Sequence, residues 1–244
     1  MRINKFLSES GVCSRRHADQ LVLEGRVCID GEKASVGDSV EDGQNVTVDG
    51  RIIENIPERY IYALYKPIGY ICSMSDEQGT GLSCFVPKGM RLYPVGRLDK
   101  DSEGLVLLTN DGEFMNSVLR ASEGHEKEYI VTVDRVVTDA FVKGMSEGVR
   151  ITSGATGRKV MTAPCRVIKT GQKAFDITLI QGLNRQIRRM CGFFGYKVIS
   201  LKRIRIMNVE LGNMKPGELR RIDFPIIQNE GGADGQNRQN ERTC

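Results

Sequence analysis

The spacing of apolar positions changes several times along the chain, and each change predicts an element. Ile3, Phe6 and Leu7 recur at helical spacing, and Gly11 stops the turn. Ser14 suits the cap of a second helix that carries Ala18, Leu21 and Val22 inward until Gly25, with Arg15 and Arg16 in its first turn. The pattern then shortens to the period of strands. Val27-Cys28-Ile29 predicts a strand, Asp30-Gly31 a tight turn, and Val46 to Ile53 a hairpin around Asp49-Gly50. Two short helices followed by small strands predict a separate N-terminal module spanning residues 1–55.

Glu54 to Arg59, with Pro57, reads as a linker, and a larger unit is expected over residues 60–228. Tyr60 to Tyr65 predicts a strand broken by Lys66-Pro67-Ile68-Gly69, and residues 73–90, rich in Gly, Ser and charge, a mobile loop. Leu105 to Thr109 is apolar and too short for a typical helix, so it predicts a buried strand. Asn110 or Asp111 then caps a helix starting at Glu113, with Phe114, Met115, Val118 and Leu119 inward. An alternating strand follows over Tyr129 to Val133. Thr138 caps a short helix to Gly144 that buries Phe141 and Val142, and strands are expected at Cys165 to Lys169 and Ala174 to Ile180. A helix capped by Asn184 carries Ile187, Met190 and Cys191 on one side, Tyr196 to Val209 gives one or two basic strands, and Phe224 to Ile227 closes the fold. Residues 229–244 have almost no apolar content and read as a disordered tail.

Composition narrows the chemistry. With 244 residues, 40% of them hydrophobic, the chain can bury one sizeable core and a smaller one. No apolar run approaches the roughly 20 residues of a membrane span, and the first residues lack the apolar centre of a signal peptide. The expectation is therefore a cytoplasmic protein with no membrane partner. Seven scattered cysteines without a Cys-x-x-Cys pair, and only His17 and His125 beside them, support neither a disulfide framework nor a zinc site. Neither a phosphate loop nor a dinucleotide fingerprint occurs, which points to carboxylate chemistry without a nucleotide cofactor.

Charge is mild in sum, +4, but uneven. Between Asp176 and Glu210 no acidic residue occurs, while Arg185, Arg188, Arg189, Lys197, Lys202, Arg203 and Arg205 all fall there. A polyanion suits such a strip; a solvated basic face is the alternative. Arg185, Arg188 and Arg189 also crowd the start of a predicted helix, where positive charge opposes the helix dipole unless an anion meets it. Ahead of the buried strand lies Arg97-Leu98-Asp99-Lys100-Asp101-Ser102-Glu103, a loop able to hold a reactive carboxylate at the rim of a core, or simply to be solvated.

The N-terminal motifs Gly-Val-Cys-Ser-Arg-Arg-His-Ala (11–18) and Gly-Arg-Val-Cys-Ile-Asp-Gly (25–31) resemble the RNA-binding module named after the fourth protein of the small ribosomal subunit. That resemblance implies RNA contacts from Arg2, Lys5, Arg15, Arg16 and Arg26. Residues 1–50 nevertheless hold six Lys or Arg against nine Asp or Glu, so a grip on RNA must come from a local basic face.

Further motifs extend the likeness: Tyr65 to Gly69, Gly96-Arg97-Leu98-Asp99, Leu107 to Gly112, Glu126 to Tyr129, and Gly182-Leu183-Asn184-Arg185-Gln186-Ile187-Arg188-Arg189-Met190. In this order they resemble the pseudouridine synthases of the branch that modifies ribosomal RNA, and His125 to Tyr129 with Gln181 to Cys191 look most like the large-subunit synthases of the F type, which act on 23S ribosomal RNA. The resemblance implies an α+β fold, a small αα-β module followed by a mixed, largely antiparallel sheet with helices around a central cleft. It implies Asp99 as the catalytic aspartate, Tyr129 as the active-site tyrosine and Arg188 as the basic partner of Asp99. Arg97, Arg185, Arg189, Lys202 and Arg203 join the expected RNA contacts, a transfer RNA is a further candidate substrate, and no metal or cofactor is expected. An aspartate, with an ordinary pKa near ~3.9, is ionised at neutral pH and needs no base to activate it. The contrasting expectation is a non-catalytic ribosome-binding or assembly factor using the same basic surface.

Overall fold

The computed structural model describes residues 1–53, 58–75, 77, 79–120, 124–152 and 157–223. The linker centre, the closing segment 224–227 and the tail 229–244 lie outside the described residues.

Helices α1 (Ile3–Glu9) and α2 (Arg15–Leu23) pack together ahead of β1 (Val27–Ile29), β2 (Glu32–Lys33), β3 (Val46–Val48) and β4 (Arg51–Ile52). The Ser14 hydroxyl caps α2 by accepting from the His17 amide. The four strands pair antiparallel in the order β2-β1-β3-β4, and Asp49-Gly50 turns the last hairpin with both residues at positive φ. Ile3, Leu7, Ala18, Leu21, Val22, Val27 and Val46 close a small core of their own.

Among the described residues the larger unit is built on a nine-stranded sheet. In chain order its elements, with the helices and a separate hairpin, are β5 (Ile61–Lys66), β6 (Tyr93–Val95), β7 (Glu103–Thr109), α3 (Gly112–Leu119), β8 (Lys127–Val133), α4 (Asp139–Ser146), β9 (Arg150–Thr152), β10 (Lys159–Met161), β11 (Arg166–Gly171), β12 (Ala174–Leu179), α5 (Gln186–Phe193), β13 (Val198–Ile206), β14 (Val209–Glu210) and β15 (Leu219–Ile222). The sheet order is β11-β12-β8-β13-β7-β5-β15, with β14 on β13 and β6 on β7, while β9 and β10 pair only with each other. Among these pairings β13–β7 alone is parallel, so the sheet is mixed and largely antiparallel, as the family resemblance implies. One face packs Val131, Phe175, Ile177 and Leu201 against Phe141, Met145, Ile187 and Met190 from α4 and α5. The other packs Leu105, Leu107 and Ile61 against Val118, Leu211 and Met214.

Gly104 is what lets the parallel seam close. It sits at φ +112°, and a Cβ built there would lie 2.2 Å from the carbonyl oxygen of Arg203. Only glycine tolerates both the dihedral and the approach.

Several expectations change in detail. Leu119, expected inward, leans over Gly96 at the end of α3 but stays 49% exposed, because the helix stops there. Asn184 does not cap α5: Arg185 is the N-cap, in the left-handed region at φ 51° and ψ 36°, and the Asn184 oxygen accepts from Arg189 instead. Within residues 73–90 a 3-10 turn at Ser83–Phe85 and the buried Leu82 anchor the segment to the core. The short strands β6, β9, β10 and β15 carry too few apolar positions to show a period.

Candidate active site

The loop between β6 and β7 is tied down at nearly every residue. The Leu98 amide donates to Cys72 Sγ at 3.2 Å, the Gly69 amide to the Lys100 carbonyl at 2.8 Å, and the Ser102 amide to the Asp99 carbonyl at 3.0 Å. Beneath it, Lys66 at the end of β5 is fully buried and its Nζ donates to the carbonyls of Ser102 at 2.7 Å and Pro67 at 2.8 Å. Burial lowers the Lys66 pKa from the ordinary lysine value, with Asp101 and Asp99 among the charges that oppose the shift.

Two arginines at the start of α5 face this loop. Arg185 donates from Nη1 and Nη2 to the two carboxylate oxygens of Asp101, 3.0 Å each, and its Nη1 lies 3.4 Å from Asp99 Oδ2. These hydrogen bonds hold the Asp101 carboxyl below its ordinary value and raise the Arg185 pKa. Arg188 Nη2 donates to the Asp101 carbonyl at 2.9 Å and to Ser102 Oγ at 3.1 Å, and lies 3.3 Å from Asp101 Oδ2, while Nη1 reaches the Val198 carbonyl at 3.3 Å. The partner of Asp99 is therefore Arg185, and Arg188, implied for that place, fastens Asp101 and Ser102. Arg185 makes these contacts from a left-handed backbone, φ 51° and ψ 36°, a state uncommon for a non-glycine residue. Two of the cations at the helix start, Arg185 and Arg188, do meet anions, and these belong to the protein itself.

Tyr129 on β8 is 8% exposed and sits in the same core cluster as Leu98 of the loop. Arg203 lies directly opposite it on β13, with its guanidinium carbon 5.9 Å from the ring centre. Arg203, expected at an RNA surface, is only 3% exposed because its side chain shares the inward face of Leu201. Lys202 points to the other face, its ammonium 5.0 Å from the centre of the Tyr65 ring. Of the remaining expected RNA contacts, Arg189 is held by the Thr152 carbonyl and Asn184, and Arg97 is exposed.

The N-terminal module contributes unequally. Arg15 and Arg16 are exposed and make no ion pair among the described residues. Arg26 is bound by both oxygens of Asp49, at 2.8 and 2.6 Å, and by Glu24 at 3.1 Å. Arg2 donates to the Gly37 carbonyl. Lys5 crosses to α3, 2.6 Å from Glu113, and Arg91 donates back to the Gly11 carbonyl at 2.8 Å, so two contacts fasten the module beside the site.

The residues that sequence reasoning passed over are Lys66, Cys72, Asp101 and Ser102. Lys66 had one signal, its place at the end of an apolar strand before Pro-Ile-Gly, which keeps its stem at the edge of the core.

Comparison with known proteins identifies the family. Residues 60–192 match the RNA pseudouridylate synthase family and residues 1–46 the S4 domain. Over 221 residues the chain is 48% identical to the dual-specificity RNA pseudouridine synthase RluF of Salmonella typhi, covering 90% of this chain and 74% of that protein. It is 32% identical over 228 residues to the ribosomal large subunit pseudouridine synthase B of Bacillus subtilis, covering 91% of each. A crystal structure of a pseudouridylate synthase superposes with a TM-score of 0.68 at 27% identity, covering 93% of this chain and 98% of that one. A family match across more than half the chain and relatives this similar over most of their length lead to one conclusion: the chain belongs to the RNA pseudouridylate synthase family, and it is an enzyme rather than a passive RNA-binding factor.

Proposed function

We propose that the chain isomerises uridine to pseudouridine in the 23S RNA of the large ribosomal subunit, with Asp99 as the reacting carboxylate, Tyr129 against the base and Arg188 fixing the loop that carries Asp99. One observation supports this most: the Asp99 side chain is partly exposed in a loop otherwise immobilised by Lys66, Cys72, Arg185 and Arg188. A reacting group needs this combination of access and fixed direction.

The reaction cuts the bond from C1′ to N1 of uracil, turns the base and rejoins it through C5. Asp99 either attacks C1′ or removes the 2′ proton to give a glycal. The target nucleotide must leave its stack, at a cost of about a few kcal/mol, which contacts from the module at 1–55 and the unit at 60–228 offset. Arg15 and Arg16 are the module residues best placed for phosphates. A relative named as a large-subunit synthase supports the 23S assignment, and relatives named dual-specificity synthases support a second target, for which a transfer RNA is our candidate. The reading places the enzyme in the cytoplasm with the RNA it acts on and requires no metal or cofactor; no helix of the described residues is long and apolar enough to cross a membrane.

Pseudouridine mapping in ribosomal and transfer RNA tests this, using cells that lack the gene and are complemented with wild type or Asp99→Asn. A 23S site restored by wild type and not by the Asn variant is expected. Restoration by Asp99→Asn near the wild-type level overturns the role of Asp99, and an unchanged 23S map overturns the substrate.

A further inference from the structure

Strand register sets four residues in one row across the large sheet. Lys66 on β5 faces Gly104 on β7, Gly104 faces Arg203 on β13, and Arg203 faces Tyr129 on β8. The row runs beneath the loop of Asp99, to which Lys66 is bonded.

Arg203 is the unexplained member. Its guanidinium is buried, yet among the described residues it meets no carboxylate. Nε donates to the Leu105 carbonyl at 2.7 Å, one face lies toward the Tyr129 ring, and Nη2 is buried with no hydrogen-bond partner. The nearby carboxylates are occupied, Asp101 by Arg185 and Arg188, and Asp99 by Arg185. A buried cation without a counter-charge is costly to keep, and a neutral side chain of similar volume packs as well. Enzymes retain such fixed charge where negative charge develops during the reaction.

We propose that Arg203 supplies positive potential beneath Tyr129 that stabilises the uracil as it parts from the ribose. The inference rests on the proposed placement of the base against Tyr129. When the C1′–N1 bond breaks, its electron pair stays with the base and spreads from N1 to O2 and O4. In one route the Asp99 carboxylate bonds to C1′; in the other it takes the 2′ proton and leaves a glycal. Both routes leave the base as an anion until C5 bonds to C1′, at which point the Asp99 carboxylate departs from C1′ in the first route or returns its proton to C2′ in the second. C5 then gives up its proton and N1 acquires one, so the product has the mass of the substrate. Arg203 acts through its field and through the setting of Tyr129, since its Nη2 has no access to the substrate.

Single-turnover conversion by the full chain, as wild type, Arg203→Met and Arg203→Lys, tests the inference on 23S ribosomal RNA transcripts containing either uridine or 5-fluorouridine. Fluorine withdraws electrons, so the fluorinated base leaves as a better anion and depends less on outside stabilisation. Arg203→Met is expected to slow the consumption of uridine by roughly 100-fold and that of 5-fluorouridine by under about 10-fold, read as loss of the parent nucleoside on digestion because C5 of the fluorinated base has no proton to give up, with RNA affinity nearly unchanged. Arg203→Lys, which keeps the charge, is expected to fall between wild type and Met on uridine, and it carries the comparison if a melting curve shows the Met variant unfolded. Equal slowing on both RNAs, or a loss accounted for by weaker RNA binding, overturns the role of Arg203 while the wild type remains active. A wild type that leaves the transcripts unmodified overturns instead the 23S reading on which the inference rests.

Discussion

Arg185 meets Asp101 with both terminal nitrogens at 3.0 Å while one of the same nitrogens touches Asp99 at 3.4 Å, so a single guanidinium spans the two carboxylates of the loop. Asp101 takes the stronger share. That division leaves Asp99 steered but not neutralised by a bidentate grip, which suits a group that must itself react.

Removing that span is expected to cost turnover more than stability. Arg185→Ala should lower kcat by about 10- to 100-fold by loosening the loop. Because the Arg185 side chain is 42% exposed, the same change should shift unfolding free energy by under about 1 kcal/mol. Steady-state kinetics beside urea denaturation check this, and a stability loss as large as the kinetic one would contradict it.

The exposed and the occupied arginines of the N-terminal module should separate in binding. Arg15→Ala and Arg16→Ala are each expected to weaken RNA binding and to reduce the slope of log affinity against log salt by about one. Arg26→Ala should leave both nearly unchanged, since Arg26 already serves Asp49 and Glu24. Filter binding across a salt series measures all three.

Lys66 predicts a pH dependence with a defined sign. Its folded pKa lies below the ordinary value of 10.5, so the folded state favours the neutral amine. The stability this confers is complete above 10.5 and is lost as pH falls through the lower folded value. Wild type should therefore gain stability relative to Lys66→Met as pH rises toward 10.5. Chemical denaturation at several alkaline pH values reads the difference, and a flat difference would contradict the burial of the amine.

Gly104→Ala should be among the most damaging single changes in the larger unit. Its methyl would collide with the Arg203 carbonyl while sitting at φ +112°, and a loss of about 4 kcal/mol or more is expected. A urea midpoint close to wild type would show that the seam can shift to admit it.

Much of this was legible in residue order. The Ser14, Asp111 and Thr138 caps, the Asp49-Gly50 turn and the apolar run of β7 rest on local chemistry, and each forms as the sequence predicts. What depends on contacts far apart in the chain was less legible. Which arginine reaches Asp99 is decided by the left-handed turn at Arg185, and a count of charges does not reveal a backbone dihedral. Arg203 and Lys202 are neighbours in sequence with the same charge, yet strand alternation sends one into the core and the other toward Tyr65. Only the register of β13 assigns them.

Among the described residues the one parallel seam, between β7 and β13, also bears on assembly. Parallel partners enter a sheet from the same end, so the loop before β7 and the helix before β13 are brought together by that one pairing. Asp101 and Arg185 are 84 residues apart, and such distant contacts form late, after local hairpins and helices. A chain arrested with β13 undocked therefore holds its carboxylates without their arginines. Chemistry waits for the seam, and a partly folded chain meeting RNA has no assembled site with which to act on it.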